Sequence, residues 1–196
     1  MTQGADPKRE AILTAAFTQF SRYGFRRTSM EDIAKELGIS RASLYSYFKN
    51  KDEVFRGLSA SIHQQTLDEA KAHLEGASDQ TDLISRVEAA LVARLGRLQE
   101  IVMQSAHGSE ICDETNRLCG DIVLDSSTRF HGMLTATIKA GVRAGEVDLK
   151  AAGLSAAAAA DLVQLGASGL RQGAPDVASF RKRLRSFVRV IFAGLR

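Results

Sequence analysis

The short segment from Arg41 to Tyr47 concentrates side chains that can bind nucleic acid. Guanidinium and hydroxyl groups donate to phosphate oxygens, and arginine also pairs with the two acceptors that guanine presents in the major groove. If the segment is helical, four residues would face base edges: Arg41, Ala42, Ser43 and Ser46. The hydroxyls of Tyr45 and Tyr47 would donate to phosphates. These residue types therefore indicate a surface for double-stranded DNA.

Ordinary roles stay open for the same residues. A tyrosine three residues from an apolar anchor commonly belongs to a core or to its rim, and an exposed arginine is commonly only solvated. The feature that separates the two interpretations is the exposure of several donors on one short face. A helix that only packs against its neighbours has no need of such a face.

Two short helices joined by a turn would position this surface. Thr28 followed by Glu31 has the spacing of a capping box, and Gly38 predicts the end of that helix after two turns. The hydroxyl of Ser40 is placed to cap the next helix, which would run to about residue 47. Two short helices with a glycine in the connecting turn are a helix-turn-helix candidate.

The second of these helices also needs an apolar back that holds it rigidly. Leu44 and Phe48 have the spacing for that role, and they would pack on Ile33 and Ala34 of the preceding helix. A short, rigid helix with donors in front is what entry into a major groove requires.

The rest of the chain also reads as helix. Of its 196 residues 44% are hydrophobic, only two are proline, and none is tryptophan. Helical apolar spacing predicts an all-α protein of about nine helices. In addition to the two short helices, we predict helices at 7–23, 51–74, 109–119, 121–144, 154–172 and 177–195. A further helix of about six turns would begin at Thr81. Its apolar stripe is Ile84, Val87, Leu91, Leu95, Leu98 and Val102.

Several classes of protein are disfavoured. The first ten residues are polar and charged, and no apolar run approaches the roughly 20 residues that span a bilayer, so we expect a cytoplasmic protein without membrane contact. Six side chains could be assembled into a metal site, but no metal-binding motif organises them: His107, Glu110, Cys112, Asp113, Cys119 and His131. We therefore expect no metal and no cofactor. No phosphate loop or nucleophile motif appears, so we expect no enzyme activity.

The segment 24–51, GFRRTSMEDIAKELGISRASLYSYFKNK, resembles the N-terminal domain of the TetR (TetR/AcrR) family of transcriptional regulators. The shared elements are the first glycine, the Thr-Ser pair, Asp-Ile-Ala, the turn glycine and Leu-Tyr-x-Tyr-Phe-x-x-Lys. The resemblance implies a DNA-binding domain over 1–51 and a helical ligand-binding and dimerisation domain over 52–196. It also places Thr28 or Ser29, and Lys51, at phosphates.

The resemblance further implies a repressor that binds a palindromic operator as a dimer and is released by a small-molecule inducer. Helical phase suggests four residues of an inducer cavity: Met103, His107, Phe130 and Leu134. Residues 57–170 hold nine Lys and Arg against fifteen Asp and Glu, a net charge of −6. This excess weakly favours a cationic or neutral inducer, although solvated helix faces explain the same count.

We expect the last two helices to form a homodimer. A helix-turn-helix protein that binds two half-sites needs two copies related by a twofold axis. Small residues would let two backbones approach closely, and larger apolar residues would supply buried area. The predicted interface residues are Leu162, Leu165, Gly166, Gly169, Phe187 and Ile191.

Two other functions remain open from the residues alone. The chain could be an all-α enzyme or ligand carrier whose first 50 residues only pack. It could also be a regulator that activates transcription or that has lost ligand control.

Overall fold

The computed structural model describes residues 6–76 and 82–195, and within these ranges the regular structure is helical. The ten α-helices are α1 (Pro7–Tyr23), α2 (Met30–Leu37), α3 (Arg41–Tyr45), α4 (Lys51–Glu75), α5 (Leu83–Leu91), α6 (Arg97–Gln104), α7 (Gly108–Leu118), α8 (Gly120–Arg143), α9 (Ala156–Gly169) and α10 (Val177–Ala193). A π-helical turn, Val92–Gly96, joins α5 to α6. Counting that continuous helix once, the described residues form nine helices, which confirms the predicted all-α class. Thr81, the predicted start of the fifth helix, lies outside the described residues.

The chain divides into two compact units. The first contains Met1–His63 and Ile101–Val123, and the second contains Gln64–Glu100 and Leu124–Arg196. The first unit thus includes the segment predicted to bind DNA, and it adds residues from the middle of the chain. Helices α4, α6 and α8 each contribute residues to both units.

The core of the first unit is built around three phenylalanines. Phe20, Phe25 and Phe55 have ring centroids 5.1 to 5.6 Å apart in tilted or edge-on arrangements. Aromatic pairs at such distances add about 0.5–1.5 kcal/mol beyond their burial. The fully buried Ile33 of α2 and Leu44 of α3 belong to the same core. The helix-turn-helix is therefore anchored on a rigid apolar base.

The start of α2 differs by one residue from the prediction. Ser29, rather than Thr28, is the N-cap, and it forms a capping box with Asp32 instead of Glu31. Thr28 is only 2% exposed, and its hydroxyl donates to the Gly24 carbonyl oxygen at 2.7 Å. Because that hydroxyl is used by the preceding turn, the next residue caps the helix.

The core of the second unit lies between the helix α5, the helix α8 and the last two helices. Its largest members are fully buried aliphatic and aromatic side chains: Leu67, Leu83, Val87, Leu91, Phe130, Leu134, Ile138, Phe180, Leu184, Val188 and Phe192. Burial of such side chains stabilises by about 1.5–3 kcal/mol each relative to exposure.

The π-helical turn changes which face of the helix from α5 to α6 is buried. The regular stripe predicted Leu95, Leu98 and Val102 as buried, but only Leu95 is, and α6 has no buried residue. A π turn inserts one extra residue per turn and so rotates the face that follows it. Arg94 in this turn is only 4% exposed, and its spacing of seven residues from Val87 and three from Leu91 continues the buried face of α5.

None of the described helices is both long and apolar enough to cross a membrane. Over the same residues, no three His, Cys, Asp or Glu side chains are grouped in a way that could hold a metal ion.

Candidate nucleic-acid interface

Local sequence determines the geometry of the α2–α3 turn. Gly38 ends α2 in the left-handed conformation with φ of 71°, which glycine adopts without steric cost. The hydroxyl of Ser40 then accepts a hydrogen bond from the Ser43 amide at 3.1 Å and caps α3. Leu44 is 0% exposed and Phe48 is 4% exposed, which confirms them as the apolar back of this helix.

The residues predicted to face bases lie on the outer side of α3. Arg41, Ala42 and Ser46 are exposed, and Ser43 is half-buried. The Ser46 hydroxyl donates to the Ser43 carbonyl oxygen at 2.7 Å. The α-helix ends at Tyr45, two residues earlier than predicted, and continues as a turn. The exposed face is therefore about one and a half helical turns long.

Arg41 has its side chain directed along the outer surface rather than into the core. Its guanidinium lies 3.8 Å from the Glu31 carboxylate and 5.7 Å from the centre of the exposed Tyr45 ring. Tyr45, and to a smaller extent Glu31, raise the pKa of Arg41 above its ordinary value. Arg41 is therefore a charged donor held in place by α2 and by its own helix.

Tyr47 lies beside the first turn of α1. The ammonium of Lys8 is 5.7 Å from the centre of its ring, and the ring is half-buried. Burial raises the pKa of Tyr47, and the nearby Asp6 carboxylate adds to that effect. Because Asp6 is also the N-cap of α1, a phosphate at the Tyr47 hydroxyl would lie close to the start of that helix.

Lys51, which the resemblance places at a phosphate, is half-buried, and its ammonium contacts the α1–α2 turn. Its ammonium donates to the carbonyl oxygens of Phe25 and Thr28, each at 2.7 Å, and lies 4.4 Å from the centre of the Phe25 ring. Burial lowers its pKa. These contacts favour a role in holding the α1–α2 turn. Of the Thr-Ser pair, only Ser29 is exposed, so Ser29 is the better candidate for a phosphate contact.

Two carboxylates of α7, Glu110 and Glu114, also hold the α1–α2 turn. Sequence reasoning considered Glu110 only as a possible metal ligand and missed Glu114. Glu110 accepts a hydrogen bond from the Arg26 amide at 2.7 Å. Glu114 is buried, lies 3.6 Å from the Arg26 guanidinium, and accepts a hydrogen bond from Arg117 at 2.6 Å. No local signal could have indicated these contacts, because 84 positions separate Arg26 from Glu110.

An open groove of about 620 Å³ lies in the first unit beside this turn. Its lining mixes both signs of charge: Gln19, Arg22, Tyr23, Arg27, Thr28, Asp32, Lys35, Glu36 and His107. His107, predicted to line an inducer cavity, is therefore part of the surface of the first unit.

The four predicted inducer residues are divided between the units. Met103 and His107 belong to the first unit, where Met103 is exposed. Phe130 and Leu134 are fully buried in the second unit. Helical phase could not show this division, because it carries no information on which unit a segment joins.

The predicted dimer residues lie on α9 and α10 with different exposures. Leu162 is 50% exposed and Leu165 is 69% exposed, while Phe187 and Ile191 are half-buried. Gly169 is exposed and open around its α-carbon. Gly166 instead contacts Phe187 of the same chain, since a β-carbon there would collide with that ring. Its small size serves the packing of α9 on α10.

Comparison with known proteins gives a family match over the segment that contains the helix-turn-helix. The family model for bacterial regulatory proteins of the tetR family matches residues 12–58. The probable HTH-type transcriptional regulator ArpR from Pseudomonas putida is 29% identical over 163 residues, which are 77% of this chain and 75% of ArpR. It is named as a regulator rather than as an enzyme.

Solved structures share the whole fold. A transcriptional regulator from Cytophaga hutchinsonii has a TM-score of 0.80 at 19% identity, covering 97% of this chain and 99% of that one. SmeT, the repressor of the Stenotrophomonas maltophilia multidrug efflux pump SmeDEF, has a TM-score of 0.71 at 19% identity in its complex with triclosan. That match covers 97% of this chain and 93% of SmeT.

The family model covers the helix-turn-helix whose geometry is described above, and the relative that spans most of the chain is an HTH-type regulator. Residues 12–58 are therefore a DNA-binding helix-turn-helix domain of the TetR family of bacterial regulatory proteins, and most of the chain is similar to an HTH-type transcriptional regulator.

Proposed function

We propose that this regulator is a repressor that binds a palindromic operator as a homodimer and releases it when a small molecule binds the second unit. The observation that carries the proposal is the outer face of α3. There Arg41, Ala42 and Ser46 are exposed together on a helix whose back, Leu44, is fully buried. Rigid presentation of donors on a short helix suits insertion into a major groove.

The dimer part of the proposal is supported by an apolar surface on α9 and α10. Leu162 and Leu165 of α9 and Val190 of α10 are 50 to 71% exposed, and Phe187 and Ile191 of α10 are half-buried. Large exposed aliphatic side chains on adjoining helices commonly mark a protein contact. A second copy of the chain is the occupant that a twofold operator requires.

The effector part is supported by the SmeT fold match. SmeT is named as a repressor and has been solved with triclosan. In our chain α4 contributes residues to both units, so a shift of α4 could carry an effector's influence to the helix-turn-helix. The effector can weaken DNA binding only to the extent that it binds the shifted state more tightly than the unshifted state.

The test is a titration of labelled DNA from upstream of the chain's own gene. We expect a Kd below about 0.1 µM at physiological salt, and binding at least about 10³-fold weaker to a scrambled duplex. Sedimentation of the complex should show two chains per duplex. Equal affinity for both duplexes, or a stable monomer at micromolar concentration, contradicts the proposal.

A further inference from the structure

Arg94 is a buried arginine in the π-helical turn of the second unit. Only 4% of it is exposed. Its guanidinium donates to the Ser126 hydroxyl at 2.9 Å and to the Thr66 hydroxyl at 3.4 Å, and its centre lies 5.0 Å from the centre of the Phe130 ring. Hydroxyl oxygens are neutral acceptors, so these hydrogen bonds leave the positive charge without a counter-ion.

Arg86 is a neighbouring arginine whose side chain is only 10% exposed and which does have a counter-ion. It lies on α5, only two helical turns before Arg94, and it pairs with the Glu146 carboxylate at 3.1 Å. Within residues 6–76 and 82–195, no carboxylate forms an ion pair with Arg94. The charged side chain that acts on it electrostatically is Arg129, which is also positive. Burial and this repulsion lower the pKa of Arg94 to about 10.

An unpaired buried charge is costly, and natural chains retain such costs mainly at functional sites. Arginine has five N–H donors in a planar fork that matches a carboxylate, and the two hydroxyls use two of them. The Phe130 ring that faces the guanidinium is fully buried, and it belongs to the apolar core that also contains Leu134, one turn further along α8. π-helical turns themselves occur frequently at functional sites.

We infer that Arg94 is the anion-recognition residue of the effector site, and that the effector is an organic carboxylate with an apolar body. Ser126 and Thr66 orient the guanidinium, and Phe130 supports one face of it. The inference rests on the proposed effector function of the second unit. It reverses the weak preference for a cationic or neutral inducer that the net charge of residues 57–170 suggested.

The test uses the full chain without DNA and three carboxylate probes, octanoate, decanoate and naphthoate, each beside its uncharged primary amide. We expect at least one carboxylate to raise the midpoint of thermal unfolding by about 5–10 °C at about a hundredfold excess over its Kd. Its amide should give less than about a third of that shift. Sodium chloride at the same concentration tests whether any small anion raises the midpoint. An equal shift with chloride overturns the inference that the ligand needs an apolar organic body.

Two variants separate a binding role from a structural one. Arg94→Met removes the charge at similar volume, so it should abolish the carboxylate shift while leaving the ligand-free midpoint unchanged or raised by a few degrees. Arg86→Met is the matched control, and it should lower the ligand-free midpoint by about 5 °C or more, because the partly buried Glu146 carboxylate loses its cation and keeps only the Leu83 amide as a donor. If Arg94→Met lowers the midpoint as Arg86→Met does, or if no carboxylate exceeds its amide, the inference is overturned.

Operator binding is measured separately, so the two failures can be distinguished. Arg94→Met should bind the upstream duplex as the unmodified chain does but should not release it on addition of carboxylate. If the unmodified chain shows no specific DNA binding but the carboxylate still raises its unfolding midpoint, the proposed repressor function is contradicted. The Arg94 site is then still supported.

Discussion

Arg41 and Lys51 are both cations near the helix-turn-helix, and their surroundings differ. Arg41 is exposed on α3, with Glu31 at 3.8 Å. Exposed ion pairs contribute little, about 0–1 kcal/mol, so a DNA base can compete with Glu31 for this guanidinium. The Lys51 ammonium, in contrast, donates to backbone carbonyl oxygens within the protein.

We predict that Arg41→Ala costs about 1–3 kcal/mol of affinity for the upstream duplex and much less for a scrambled one, because it removes a base contact. The thermal midpoint should stay within about 2 °C, since the side chain is exposed. Lys49→Ala is the matched control: this exposed neighbour should weaken both duplexes by similar factors. Equal losses on both duplexes for Arg41→Ala would show that another face reads the bases.

Lys51→Met should mainly destabilise the first unit. Removing the ammonium leaves the Phe25 and Thr28 carbonyl oxygens without their donor, which costs about 1–3 kcal/mol. The measurement is chemical unfolding of the variant, together with the salt dependence of DNA binding. A salt slope lower by about one charge per subunit at unchanged stability would instead support the phosphate contact that the family resemblance suggests.

At the scale of elements, the structure shows that α7 holds the α1–α2 turn, a role that the sequence did not indicate. Glu110 accepts a hydrogen bond from the Arg26 amide at 2.7 Å. We predict that Glu110→Ala speeds hydrogen exchange of that amide roughly tenfold or more, because a charge-assisted bond is worth about 1.5–3 kcal/mol. Asp113→Asn, an exposed acid of the same helix, should leave the exchange rate unchanged. Equal protection in both variants would show that α7 does not hold this turn.

The last two helices allow a sharper dimer test than the glycine substitution that small residues first suggest. A bulky residue at Gly166 would collide with Phe187 of its own chain, so it would disturb folding as well as association. Leu165→Glu changes an exposed position instead, and it should weaken the dimer at least tenfold in sedimentation equilibrium. Leu124→Glu, at 68% exposure on α8, should leave association unchanged. Equal association of all three proteins would place the dimer contact elsewhere.

At the scale of the whole molecule, the effector and the operator must each weaken the binding of the other. A single coupling free energy describes both effects. If the carboxylate lowers operator affinity by some factor, bound operator should lower carboxylate affinity by the same factor. Both constants can be measured by calorimetry on the same protein preparation. Unequal factors would rule out a single two-state change as the link between the sites.

Local sequence determined most of the helices and their ends. Ser40, Gly38 and the apolar spacing of α2 and α3 act through backbone geometry and neighbours within a few residues, so they could be interpreted without a structure. The exposed hydroxyl of Ser46 followed from the same information, because burying Leu44 leaves Ser46 on the other side of the helix. Arg41 shares the helical spacing of Leu44 and is exposed as the first residue of α3.

Tertiary structure decided which distant residues share one environment. The family resemblance placed Lys51 at a phosphate, and sequence reasoning considered Glu110 only as a possible metal ligand. Both observed contacts depend on how the α1–α2 turn meets residues far along the chain. Arg94 was passed over for a related reason: its spacing from Val87 and Leu91 places it on the apolar face of the helix, but an arginine is ordinarily expected at the surface. Periodicity describes one helix at a time, whereas the burial of a charge depends on every helix packed around it.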